Sequence, residues 1–246
     1  MTPNQILLAP NYRQFPRPSR PWLMYQEWSK VLFLHAPVPG EILLPLIPRG
    51  TVPDLYLGQA WVSILVFTVR NAHPRFAYPL PYLSNFHEIN LRTYVRSEKT
   101  RVPGITFLDI HASRVIPSLL GRAYGLPYRD ADIFRYKTAE ANQIVSRKED
   151  GCTMDLSYTV SDPLQTKKVL DIWLTERYIA YQQLSDGVYS YPIQHREWPL
   201  KNITVEGQLH YKFGTLELNQ NDMRIMHYAE NVQVLVWNRI RNDYSK

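Results

Sequence analysis

Nineteen prolines are spread along a chain of 246 residues that has only ten glycines. Each proline fixes its backbone angle and removes a hydrogen-bond donor, so the chain is divided into short segments separated by turns. The expectation is a mainly β protein, of α+β type, with few helices. An apolar share of 45% with 20% charged residues is globular chemistry and argues against disorder. The longest strongly apolar stretch, Ala60 to Val69, is about half of the ~20 residues that a membrane-spanning helix needs. No membrane span is expected. The opening MTPNQILLAPNYRQFPRPSRP carries prolines where a secretory signal has its apolar core, so the expected location is cytoplasmic. Cys152 is the only cysteine, which excludes internal disulfides and multi-cysteine metal sites.

Gln59 to Arg70 is rich in Trp, Val, Ile and Phe and reads as a strand buried on both faces. From Glu88 to Arg96 the pattern is strictly alternating: Ile89, Leu91, Thr93 and Val95 share one face, and Glu88, Asn90, Arg92, Tyr94 and Arg96 the other. Further strands are expected at 104–111, 133–138, 142–147, 152–160, 177–183, 187–193, 203–210 and 231–239. Short helices are expected at 39–46, 113–124 and 166–174; the second has Ser113 as N-cap, Pro117 in its first turn and Gly125 at its stop. The chain divides into an extended arm, 1–20, which packs on a neighbour or stays mobile, and a single domain, 21–246.

The polar face of Glu88 to Arg96 is the most informative feature. Without further context it is the solvent side of an edge strand. If the sheet closes into a barrel, Glu88 and Arg92 face inward and need partners or a ligand. Four residues apart on a strand, roughly 13 Å, they do not pair directly. In Arg122 to Ala131, Gly125 and Pro127 are explained by a helix stop and a turn, which leaves Tyr128 and Arg129 unexplained. Glu176, Arg177 and Tyr178 read as a solvated ion-pair network or as part of a site. The unperturbed pKa of a histidine lies near neutrality, which makes His195 a candidate acid or base, although a His close to Trp198 is more often structural.

Asp109 and His111 offer two metal ligands without a third, so no metal is expected. Nucleotide loops and hydrolase serine motifs are absent, and Cys152 follows a polar turn, Glu149-Asp150-Gly151, with no evident activating partner. No cofactor is expected. The net charge of +6 is scattered and no nucleic-acid-binding signature accompanies it, so nucleic acid is not an expected partner.

Read in order, Trp61-Val62 with Phe67, Glu88 to Val95, Gly104 to Leu108, Gly125-Leu126-Pro127-Tyr128, Leu174 to Tyr178 and His195 to Leu200 resemble the YqjF-like family of unknown function. The resemblance covers about residues 20 to 240. It implies the acetoacetate-decarboxylase-like superfamily, hence an antiparallel β-barrel or cone with a central pocket and a few short flanking helices. Those decarboxylases form a Schiff base through a lysine after a Gly-aromatic-Pro turn, with a second lysine lowering its pKa. Here Tyr128 and Arg129 follow the corresponding turn, so Schiff-base decarboxylation is not expected. Lys167-Lys168, the only adjacent lysine pair, reads as a solvated helix face. The pocket glutamate of the decarboxylases corresponds to Glu88.

The resulting expectation is a pocket for a small oxo or carboxylic acid. Glu88 would move a proton and Tyr128 would donate to a carbonyl oxygen, while Arg129 would hold an anionic group. Arg92, Tyr94, Glu176 and His195 complete the candidate contacts. The alternative is an acid–base enzyme, a lyase, hydratase or tautomerase, that works on a small carbonyl compound without an imine. A protein-interaction module using the aromatic, proline-rich surface is a third reading, and it predicts no enclosed polar cavity. The relatives suggest a homo-oligomer.

Overall fold

In the computed structural model the described residues are 1–80, 82–138, 141–147 and 152–242. The chain begins with α1 (Pro3–Leu8), β1 (Met24–Val38), a 3-10 turn (Gly40–Leu46), β2 (Thr51–Pro53), β3 (Ala60–Pro74), β4 (Phe86–Ser97) and β5 (Pro103–Ala112). It continues through α2 (Val115–Ala123), β6 (Tyr128–Asp130), β7 (Asp132–Lys137), β8 (Asn142–Arg147), β9 (Cys152–Pro163) and α3 (Val169–Thr175). It ends with β10 (Ile179–Leu184), β11 (Gly187–His195), β12 (Leu200–Phe213), β13 (Leu216–Asn219), β14 (Ile225–Val236) and β15 (Ile240–Asn242). The protein is mostly β, as its proline distribution implies. No helix among the described residues is long and apolar enough to cross a membrane.

Pairing runs from β1 through β3, β4, β5, β10 and β11 to β14, which pairs with β1 again. The circuit is closed by β11, which pairs with β10 along Ile179 to Leu184 and with β14 from Ile193↔Val236 to His195↔Val234. The joint between β5 and β10 is parallel and rests on one register pair, Ala180↔Ile105. All other joints in the ring are antiparallel. From the ring, β12 leaves β14 and carries β9, β8 and β7 as an outer sheet.

The two largest cores follow from this layout. Leu32, Leu34, Ile64, Val66, Ile89 and Leu91 point outward from the ring and pack on Ile144, Met154 and Leu156 of the outer sheet. Val31, Phe33, Leu65, Phe67, Val232 and Val234 point inward, against Trp198. Ala60 to Val69 are therefore buried on both faces, which accounts for the continuous apolar run.

Several local expectations are corrected. Residues 3–8 are helical rather than extended, because Thr2 and Gln5 cap each other at 2.7 and 3.3 Å and Pro3 occupies the first turn. This arm packs on its own chain: Ile6 lies buried against Leu235 and Trp237, and Arg13 donates to Gln194 at 3.1 Å. The strand β1 is absent from the expectations. Its start is polar, a register shift and a positive φ at Lys30 break its alternation, and its end is buried on both sides. The last long strand spans Ile225–Val236 rather than 231–239. Arg114, not Ser113, precedes α2; the Ser113 hydroxyl instead accepts from the His87 amide at 2.8 Å, tying the end of β5 to β4. Lys167 lies before α3 and bridges Glu176 and Glu197 at 3.1 and 2.8 Å rather than sitting on a solvated face. Cys152 is buried at the start of β9, and the turn at 149–151 lies outside the described residues.

Leu91, fully buried between ring and outer sheet, should cost about 2–5 kcal/mol when replaced by alanine. The 91% exposed Leu57 should cost less than about 0.5 kcal/mol. Urea unfolding of Leu91→Ala and Leu57→Ala measures both.

Candidate functional site

Closure of the ring turns the polar face of β4 inward. Phe86, Glu88, Asn90 and Arg92 succeed one another along its inner wall over roughly 20 Å of strand. They border a cavity of about 570 Å³. Trp28, Leu65, Phe67, Phe107 and Trp198 contribute much of the remaining wall, which is dominantly apolar. Charge placed here is poorly solvated.

Glu88 is 5% exposed. The Tyr128 hydroxyl donates to its Oε2 at 2.7 Å, and Asn90 Nδ2 donates to its Oε1 at 3.0 Å. Burial pushes the carboxyl up from an ordinary value of 4.5 to about 7, against the pull of these two hydrogen bonds. Burial and the neighbouring Glu88 hold the Tyr128 phenol well above its usual range, so it remains a donor. The Tyr128 ring is placed by a short parallel pairing, Ile110↔Tyr128, and by Gly121 of α2. A Cβ at position 121 would fall 2.2 Å from that ring, so only glycine lets the helix lie on the phenol. The Gly125-Leu126-Pro127 turn reverses the chain between them, with Gly125 at φ +89°.

Arg92 is 7% exposed. Its Nη2 donates to the Leu174 carbonyl at 3.4 Å, whereas its Nε has no hydrogen-bond partner among the described residues. No carboxylate of the described residues forms an ion pair with it. Asn90 Oδ1 is likewise buried without a partner. Arg177, which also borders the cavity, is different: its Nη1 donates to Asp54 at 2.7 Å and its guanidinium lies 4.4 Å over the Trp173 ring.

The structure thus brings Glu88, Tyr128, Arg92 and His195 to one cavity. The His195 ring is buried, stacks 4.6 Å from Tyr178 and meets the Arg196 carbonyl through Nδ1 at 2.7 Å; burial lowers its pKa, which keeps it neutral at pH 7. Tyr94 occupies the same face beyond Arg92 and does not border the cavity. Its hydroxyl donates to the Leu174 carbonyl at 2.8 Å and meets Ser63 Oγ at 2.5 Å, so it anchors the carbonyl that also receives Arg92. Glu176 does not border the cavity either: it accepts from Lys167 at 3.1 Å, the Trp198 amide at 2.9 Å and Tyr178 at 2.6 Å. Arg129 lies half-exposed away from the cavity and pairs with Asp109 at 3.2 Å. His111 joins that aspartate at 2.9 Å, between the ring and the outer sheet.

Trp198 and Arg177, named in the sequence only as neighbours of other candidates, also border the cavity, as do Trp28 and Thr175, which were not singled out there. The sequence leaves Arg177 open between a solvated network and a site, because its counter-ion, Asp54, is 123 residues away. No local pattern reveals that pairing.

The folded Glu88 carboxyl keeps its proton up to about pH 7, whereas the unfolded chain releases it near 4.5. The folded state therefore holds the extra proton in that window, and its stabilisation is full below the window and lost as pH rises through it. The loss is on the order of 3 kcal/mol. Glu88→Gln does not titrate, so its urea stability should fall less between those two pH values than that of the wild type. Tyr128→Phe removes a donor that favours the charged carboxylate and should move the Glu88 midpoint further above 7, read from the carboxyl carbon shift in an NMR titration.

Comparison with known proteins adds the lineage. The family DUF2071, described as an uncharacterized conserved protein, matches residues 25–233. The uncharacterized protein YqjF of Bacillus subtilis (strain 168) is 35% identical over 223 residues, which are 88% of this chain and 91% of that protein. Among solved structures, the enduracididine biosynthesis enzyme MppR, complexed with the condensation product of pyruvate and imidazole 4-carboxaldehyde, superposes with a TM-score of 0.64 at 11% identity, covering 93% of this chain and 92% of that chain. An acetoacetate decarboxylase-like enzyme from Sphingomonas wittichii RW1 gives 0.60 at 11% identity, covering 95% and 99%. At such identities the solved structures establish a shared fold alone. The extent of the family match and the identity to YqjF make this chain a member of the DUF2071 family, carried on the acetoacetate-decarboxylase-like fold.

Proposed function

We propose that the ring cavity binds a small oxo or carboxylic acid without forming an imine to it. The observation that carries this reading is Arg92, a buried guanidinium that has no counter-ion among the described residues and an unpartnered Nε at the wall of an apolar cavity. A buried cation is costly unless an anion compensates it, and a carboxylate matches the guanidinium fork. Asn90 Oδ1, also unpartnered, accepts from a hydroxyl or enol of the same ligand. Among the described residues the cavity lining contains no lysine, which supports a mode of binding different from the Schiff base of the decarboxylases. The complex of MppR with a pyruvate condensation product supports 2-oxo acids as the first probes.

A second reading, acid–base catalysis, is favoured by Glu88. A carboxyl poised at about 7 and hydrogen-bonded to Tyr128 can both give and take a proton at neutral pH. A lyase, hydratase or tautomerase of a small carbonyl compound uses such a group.

Calorimetric titration with pyruvate and acetoacetate tests the binding. Wild type should bind, and Arg92→Met should weaken binding at least about tenfold. Borohydride treatment in the presence of either acid should leave every lysine unmodified. Unchanged affinity in Arg92→Met, or a lysine adduct, would overturn the proposal. Loss of deuterium exchange at the carbon next to the carbonyl in Glu88→Gln, with binding retained, would establish the catalytic reading.

A further inference from the structure

We propose that the acid held at Arg92 carries an extended apolar chain, which runs along β4 past Glu88 and leaves the ring between Leu80 and Leu83 of the β3–β4 connection and α2. This rests on the reading above and specifies its ligand class as an amphiphilic acid rather than one the size of pyruvate.

The cavity is polarised along its length. At one end the buried Arg92 and Arg177 face it; at the other, where β3 ends and β4 begins, its wall is Leu80 and Leu83 of the connection and Leu120 of α2. Leu80 and Leu120 are 57% and 61% exposed although both border the cavity, so the apolar wall continues out to solvent. The distance from Arg92 to the residue opening β4, Phe86, is roughly 20 Å of strand, several times the length of a pyruvate molecule. The volume is similarly large: about 570 Å³ corresponds to roughly nineteen waters at ~30 Å³ each.

A short acid at Arg92 leaves the stretch between Glu88 and the mouth to water, which finds few partners on Phe67, Leu83, Phe86 and Leu120. An alkyl chain fills it without stranding any polar group. The exposed leucines at the mouth acquire a role at the same time, because the chain covers apolar surface that the protein itself leaves open. Glu88 then meets the ligand along its body and not at its carboxylate, consistent with the roughly 13 Å between Glu88 and Arg92.

Straight-chain 2-oxo acids from pyruvate through 2-oxohexanoate and 2-oxooctanoate to 2-oxodecanoate test the proposal by calorimetry on the full chain, with 1-octanol as a control lacking the acid. Affinity should rise about fourfold per added methylene until the mouth is reached. Leu120→Glu and, separately, Leu80→Glu change exposed positions and should flatten that rise for the longest acids. Equal dissociation constants for pyruvate and 2-oxooctanoate would overturn the chain inference while leaving the acid-binding reading standing. An undiminished rise in both mouth variants would overturn the exit between the connection and α2. If no oxo acid binds, or 1-octanol binds as tightly as 2-oxooctanoate, the acid-binding reading itself fails and the inference with it.

Discussion

The pairing of β11 with both β10 and β14 is what the site depends on. An open sheet would leave the face of β4 that carries Glu88, Asn90 and Arg92 in water, as an ordinary amphipathic strand. Closure puts that face inside, and the outer sheet led by β12 covers the opposite face. A strand that reads as half-buried is therefore buried on both sides, with acid and guanidinium in the interior. The seam between β5 and β10 is thin, since one register pair joins them, and α2 with its Gly125 turn packs beside it. The same helix presses on the Tyr128 ring through Gly121, so the element near the weak seam also fixes the donor to Glu88.

Two arginines at this cavity separate structure from site. Arg177 has an aspartate, a backbone carbonyl and aromatic rings arranged around it, and its charge is compensated within the protein. Arg92, on the same wall, has a long contact to the Leu174 carbonyl and the Tyr94 phenol beside it, but no carboxylate among the described residues. Burial at similar depth with such unequal compensation is hard to reconcile with a purely structural role for Arg92, because replacing it by an apolar residue would remove the cost. The difference is the physical ground for expecting an anion from outside the chain.

What the sequence disclosed follows from which interactions are local. Alternation marked β4 without ambiguity, and the apolar run from Ala60 to Val69 marked β3, since both are written in consecutive side chains. The turn at Gly125 and Pro127 was equally legible. β1 was not, because a bulge near Lys30 and burial on both faces erase its period. Among site residues, Glu88, Arg92 and Tyr128 emerge from strand pattern and family resemblance together. Arg129 shows the limit of such reasoning: it follows Tyr128 directly, yet neighbours on a strand point to opposite faces, and it meets Asp109 instead of the cavity. The carboxylate of Glu176 is consumed by Lys167, Tyr178 and a backbone amide, none of which is identifiable from spacing.

The physics of the chamber does not depend on which group titrates in it. An apolar cavity favours the neutral form of whatever titrates in it: an amine there loses its proton more easily, and a carboxylic acid keeps its proton longer. In the decarboxylases that the family resembles, this effect serves a lysine nucleophile. Here the group exposed to it is Glu88, and the outcome is a carboxyl half-protonated near pH 7 with Tyr128 and Asn90 fixing both oxygens. With these residues the chamber is suited to holding and exchanging a proton. Arg92 sits too far along the strand to pair directly with that carboxyl, so the two can address different parts of one guest.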